Sequence, residues 1–129
     1  MSNPFAGNPF AELKELELKI LSAGAARGNK ARIERLRALS KKCRRRNPDA
    51  EEAICYHGAR ALIHEADGSI KKAIKHREME IAKIRRLHEL APNDRYALQN
   101  YRKKDLRDRE RRLKRLYVRK ANVESTGHA

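Results

Sequence analysis

At 129 residues and 14.9 kDa the chain lies within the size of one domain. Aromatic residues make up 5%, Trp is absent, and Ala, Leu, Ile, Glu, Lys and Arg dominate, which favours an all-helical protein over a sheet. Thirty-two Lys and Arg against seventeen Asp and Glu leave a formal charge of +15, a balance that attracts polyanions at low salt, nucleic acid first among them; the plainer reading is a salt-bridged helical surface with an excess of one sign.

Taken in order, residues 1–8 are too short and polar to pack and are expected to form a disordered tail. They contain Asn3-Pro4-Phe5, and Asn8-Pro9-Phe10 follows. Asn-Pro-Phe resembles the tripeptide bound by EH domains in membrane traffic, but the second copy also suits a helix start, with Asn8 as N-cap and Pro9 at the first helical position. Leu13, Leu16, Ile20 and Leu21 then form the stripe of a helix from about Pro9 to Ala23, broken by glycines at 24 and 28. A second helix is predicted from about Asn29 to Arg45, with Ile33, Leu36, Leu39 and Cys43 inward. Arg44-Arg45-Arg46 complements the negative end of its dipole.

Asn47-Pro48-Asp49 restarts the chain, with Asp49 and Glu52 at capping-box spacing. The stretch from Asp49 to Ala91 reads as a helical hairpin turning at Ala66-Asp67-Gly68-Ser69. Its first helix carries Ile54, Gly58, Ala61 and Leu62 on one side and Tyr56 and Ile63 on the other, so it expects cover on more than one face. Its second helix carries Ile70, Ala73, Ile74, Ile81, Ile84 and Leu87 on one stripe and Lys71, Lys72, Lys75, Lys83 and Arg86 opposite. Pro92-Asn93-Asp94 opens a last helix predicted from about 94 to 121, where Asp105 with Arg109, Asp108 with Arg112 and Glu110 with Lys114 have i, i+4 ion-pair spacing. Its apolar stripe of Leu98, Leu106, Leu113, Leu116 and Tyr117 is narrow, so its second half is expected to project or meet a partner. Residues 122–129 are expected to be a tail. The whole predicts one all-α domain over 9–121: five helices as stacked antiparallel hairpins, 9–46 and 49–91, with a long basic C-terminal helix.

The two hairpins share a plan, with glycine turns forty residues apart at Gly28 and Gly68 and prolines forty-four apart at Pro48 and Pro92. Periods of that size belong to helical-pair repeats. Ile54, Gly58, Ala73 and Pro92 follow, in order, the pattern of a tetratricopeptide repeat, which the central unit resembles. His57, Ala61 and Arg77 depart from that pattern, and the helices are longer than the family's by whole turns, which preserves their inward faces. The resemblance implies that first helices line a concave face and second helices the outside. Arg27 to Arg46 holds ten basic and one acidic residue and Lys71 to His88 seven and two, whereas Asp49 to Asp67 holds one and five. The positive surface is therefore expected on the convex side, continuous with the last helix, where Arg95 to Lys120 holds twelve basic and three acidic residues.

Little in the sequence points to catalysis. No glycine-rich phosphate loop, serine elbow or HExxH is present. His57 and His64 share a helix side near Glu65, but no third ligand and no i, i+4 spacing accompany them, so neither a metal nor a cofactor is expected. His88 reads as a core-edge histidine. A helix-turn-helix reading of the central hairpin meets polar His64 and Asp67 where such motifs pack small or apolar residues, and its second helix is too long. Cys43 and Cys55 lack metal or redox spacing, no basic-then-apolar signal stands before them in the sequence, and no run approaches the ~20 apolar residues of a membrane span. Free thiols in a reducing, cytoplasmic setting are expected.

Two functions fit. The first is a non-enzymatic protein that contacts RNA or DNA backbone, largely without sequence specificity, through Arg44, Arg45, Arg46, Lys71, Lys72, Lys75, Arg111, Arg112, Lys114 and Arg115; Tyr96, Tyr101 and Tyr117 could stack on unpaired bases or pack. The second is a small tetratricopeptide-like adaptor with a protein partner or homodimer seam at Leu106, Leu113, Leu116 and Tyr117. Neither involves a membrane or a small-molecule substrate.

Overall fold

The computed structural model describes residues 9–23, 30–44, 50–93, 95, 99 and 101–125, and among them all regular structure is helical. The five helices are α1 (Pro9–Ala23), α2 (Lys30–Cys43), α3 (Ala50–Ala66), α4 (Ile70–Leu90) and α5 (Lys103–Ser125). They stack as antiparallel neighbours. α1 packs on α2 and α3, α2 on α3, α3 on α4, and α4 on α5.

α3 is the central helix because it has the least to offer water. Ile54, Cys55, Ala59, Ala61, Leu62 and Ile63 are all buried, so α1, α2 and α4 can each take one of its sides. Phe10, Leu13 and Ile20 of α1 and Ile33, Leu36, Leu39 and Cys43 of α2 complete the main core, which Ile84 and Tyr101 close at the far end. Phe10 of the second Asn-Pro-Phe copy is thus a core residue, and its copy is a helix start; Asn3-Pro4-Phe5 and Asn8 lie outside the described residues.

The α3–α4 hairpin closes as a Schellman motif. Gly68 takes φ +76°, which lets its N–H donate to the Glu65 carbonyl and the Ser69 N–H to the His64 carbonyl at 2.8 Å. Asp67 in this turn is gripped by Arg37 of α2 through two hydrogen bonds of 2.8 and 2.9 Å.

The last helix departs from expectation at both ends. It starts at Lys103 rather than near Asp94, because the Arg102 carbonyl accepts the first helical bond from Leu106 and the Asp105 carboxylate accepts from the Arg102 N–H at 2.8 Å, half of a capping box. Tyr101 fixes the approach, being buried with its hydroxyl 2.9 Å from Cys55 Sγ. At the other end Val123, Glu124 and Ser125, expected in a tail, continue the helix. A Lys120–Glu124 ion pair at 3.7 Å and the Ser125 hydroxyl donating to the Asn122 carbonyl hold that turn. α5 runs antiparallel on α4 as far as Leu116, which is buried against Ala73 and Ile74, and beyond it Tyr117, Val118, Arg119 and residues 121–125 are exposed. Among the described residues no helix is long and apolar enough to cross a membrane.

Candidate functional site

Where α1, α3, α4 and α5 converge, the core is ionic. Glu17 of α1, Arg77 and Glu80 of α4 and Arg109 of α5 have relative exposures of 1%, 0%, 0% and 3%. Glu80 takes Arg77 Nη1 on one oxygen at 2.6 Å and Arg109 Nε on the other at 2.8 Å. Arg109 then reaches Glu17 through Nη2 at 3.3 Å and lies over the Tyr101 ring, 5.6 Å from its centroid. One carboxylate therefore joins two guanidinium groups, and one of those joins a second carboxylate, linking three helices through side chains alone.

Gly58 of α3 makes the space. A Cβ there would collide with the Glu17 carboxyl group and with Oε2 of Glu80, so the two acids face one another across the position where other residues would carry a side chain. Burial, and then the neighbouring Glu80, push the Glu17 carboxyl up to about 8, against the pull of Arg109 and Arg77. Burial also works against the Arg109 charge, but Glu80 and Glu17 prevail and raise it above the ordinary arginine value. Glu17 Oε2 and Arg77 Nε and Nη2 are buried without a hydrogen-bond partner. The members aim at one another, so the arrangement clamps helices.

These four residues escape a reading that treats charge as surface. The signal was nonetheless in the spacing: Leu13-Glu17-Ile20, Ala73-Arg77-Glu80-Ile84 and Leu106-Arg109-Leu113-Leu116 are inward stripes of i, i+3 and i+4 steps with a charge inside them. The same geometry overturns the helix-surface pairs expected along α5. Arg109 turns to Glu80 and Glu17 instead of Asp105 and gives Nη1 to the Asp105 carbonyl. Asp108 pairs with Arg111 at 3.2 Å, and Glu110 pairs with Arg85 of α4 at 2.9 Å. Packing in the fold offers Arg109 and Glu110 partners that an isolated helix lacks, whereas Asp108 takes its i+3 neighbour within α5.

On the other flank of the α3–α4 hairpin three histidines line up. His76 of α4 stacks between His57 and His64, with ring centroids 5.3 and 5.4 Å away. The His57 and His76 Nδ1 atoms are 3.1 Å apart. Burial, then His57 and His64, then Arg60 and Lys75 bring His76 down to about 4; burial lowers His57 and His64 as well, helped by Lys83 for the first and by Arg60 and Lys72 for the second. The sequence offered two of these rings, and the third comes from the partner helix. Among the described residues no group of three or more His, Cys, Asp or Glu is placed to hold a metal ion. His88 meets the backbone carbonyl of Tyr101 through Nε2.

The expected basic contacts fall on several surfaces. Arg44 is exposed at the end of α2, and Lys71, Lys72 and Lys75 are exposed on the first turns of α4; Arg45 and Arg46 lie outside the described residues. On α5, Lys114 lines a groove of about 650 Å³ against α4, together with Met79, Ile81, Leu113 and Tyr117. Arg111, Arg112 and Arg115 line another, of about 360 Å³, against Leu18 and Leu21 of α1. The basic side chains therefore line more than one surface, among them a groove between the first and last helices.

The expected partner seam divides. Leu116 is 1% exposed and is covered by Ala73 and Ile74 of α4; Leu113 packs half-buried beside it and Leu106 half-buried on the main core; Tyr117 remains 45% exposed. Tyr101 is a packing residue, and Tyr96 lies outside the described residues. Both cysteines are buried and neither is in a disulfide, and burial, then Glu17, pushes the Cys55 thiol up to about 12.

No family model, curated protein or solved structure matches the chain.

Proposed function

We propose that this is a non-enzymatic protein that binds nucleic acid through phosphate contacts, using the exposed cations of α2, α4 and α5 on a tetratricopeptide-like stack of helical pairs. The observation that carries the reading is how the acids are used. Glu17 and Glu80 face inward, and Glu12, Asp67, Asp108, Glu110 and Glu124 are held by neighbouring cations, while Lys71, Lys72, Lys75, Lys114 and Arg115 stand exposed. The excess positive charge thus faces solvent as lysine and arginine heads, suited to backbone phosphates and counterion release. The test is fluorescence anisotropy of labelled single-stranded RNA and duplex DNA across a salt series. Submicromolar affinity near physiological salt, with a slope of several ions, supports the reading; binding that vanishes there removes it.

The groove between α4 and α5 favours a second reading, an adaptor for a protein partner. Met79 and Tyr117 are exposed there beside Ile81 and Leu113, and its charges pair locally, Arg85 with Glu110. Light scattering of the wild type and of Tyr117→Glu tests it: a complex lost on substitution supports the adaptor, and a monomer in both cases removes the homodimer form.

A further inference from the structure

The groove between α1 and α5 combines features that a merely solvated basic face lacks. Five cations of α5 line it, Lys104, Arg109, Arg111, Arg112 and Arg115, of which Arg109 is committed to Glu80 and Glu17, and they face the apolar wall of Leu18 and Leu21. The acids within it are engaged: Asp105 accepts from the Arg102 N–H and Asp108 binds Arg111. Its volume, about 360 Å³, lies in the range of small-ligand sites, ~300–1,000 Å³.

Arg112 sets this groove apart. Its side chain is half-buried, and burial, then the positive charge of Arg77, lower its hold on the proton, with Glu65 opposing. A guanidinium partly withdrawn from water beside a second guanidinium is costly unless an anion meets it, and a planar fork suits the paired oxygens of a phosphate. Behind it the buried network adds positive character, since Arg77 and Arg109 face Glu80 while Glu17 tends to hold its proton.

Building on the nucleic-acid reading above, we propose that a backbone phosphate of that nucleic acid enters the α1–α5 groove, where Arg112 binds it, Arg115 and Lys104 flank it, and Leu18 and Leu21 pack against the adjoining sugar or base. This makes the groove a defined anchoring point among otherwise interchangeable surface contacts. A removed surface lysine weakens binding by one counterion's share. Removing Arg112 costs more, because its charge is desolvated.

The experiment has two arms on the full chain. In the first, inorganic pyrophosphate is titrated while the thermal midpoint is followed for wild type, Arg112→Gln, the rim variant Arg115→Gln and a Lys19→Gln control that removes an exposed charge of α1 outside the groove lining. A ligand of the native state raises the midpoint, so the rise is expected in wild type and control, reduced in Arg115→Gln and lost in Arg112→Gln. An equal rise in all four, or none in wild type, overturns the site. In the second arm, labelled single-stranded RNA is bound to the same variants, with about tenfold weakening expected for Arg112→Gln and under threefold for the control. RNA binding indifferent to both Arg112→Gln and Arg115→Gln overturns the groove and leaves the outer faces as the binding surface. A pyrophosphate response without RNA binding overturns the nucleic-acid assignment and points to carboxylates of an acidic protein.

Discussion

Arg109 on α5 and Glu17 on α1 stand 92 residues apart in the chain and meet at 3.3 Å inside the protein. No backbone packing of α5 on α1 accompanies the contact; the reach of two long side chains, shared with Glu80, joins the first helix to the last. Removing Arg109 takes one of two guanidinium groups from the buried Glu80 carboxylate and the donor from Glu17, and breaking a buried ion pair from one side costs about 3–5 kcal/mol. Arg109→Met is therefore expected to destabilise the protein by about that much in urea unfolding, and adding Glu17→Leu to recover part of it. Strictly additive losses would show that the two groups do not interact.

Gly58 offers a sharper test because the ordinary expectation has the opposite sign. In the interior of a helix Gly→Ala stabilises by about 1 kcal/mol. Here the methyl group meets the carboxylates of Glu17 and Glu80, so Gly58→Ala is expected to destabilise by about 1–3 kcal/mol through overpacking. A stabilised variant would mean that the carboxylates are not held over this residue.

Leu116 separates core from seam. Fully covered by α4, it is expected to lose about 2–5 kcal/mol on Leu116→Ala, whereas Tyr117→Ala, at an exposed position, should leave the unfolding midpoint nearly unchanged. Equal, small effects from both substitutions would place α5 away from α4.

The pH dependence of stability follows from two opposed groups of residues. His76 titrates at about 4 in the folded protein against the ordinary 6.5, so between those values the unfolded chain binds more protons and stability falls as pH falls, and the lowered His57 and His64 act in the same direction. Glu17 is raised from 4.5 to about 8. Between those values the folded state binds the extra proton, and stability falls as pH rises. With three rings against one carboxyl below 6.5 and the carboxyl alone above it, stability is expected to peak near pH 6.5. Thermal midpoints across pH 4.5–8.5 check this: His76→Gln should flatten the acid limb and Glu17→Gln the alkaline one, and a monotonic profile in the wild type would refute the pairing of causes.

For the outer face of α4, Lys71→Gln, Lys72→Gln and Lys75→Gln are each expected to lower the salt slope of RNA binding by about one, with circular dichroism unchanged because all three are exposed. An unaltered slope in the triple variant would remove this face from the interface.

The helical class, the hairpin pivoting on Gly68 and most of the apolar core were legible in the sequence, because helical periodicity and a glycine that alone tolerates positive φ are local properties. The inward stripe of α4 was half legible: Ile70, Ala73, Ile74, Ile81 and Ile84 announced it, while Arg77 and Glu80 in the same stripe looked like surface charge. Only the tertiary structure decided that they are buried, since a charge belongs in a core only when a partner from another helix meets it there, and Glu17 and Arg109 come from opposite ends of the chain. The same reason explains the start of α5 at Lys103, set by the anchoring of Tyr101 on Cys55, and the groove that residues of α1 and α5 line together across a gap their backbones do not close. Composition fixed the sign of the charge. Long-range packing fixed where it is neutralised and where it faces water.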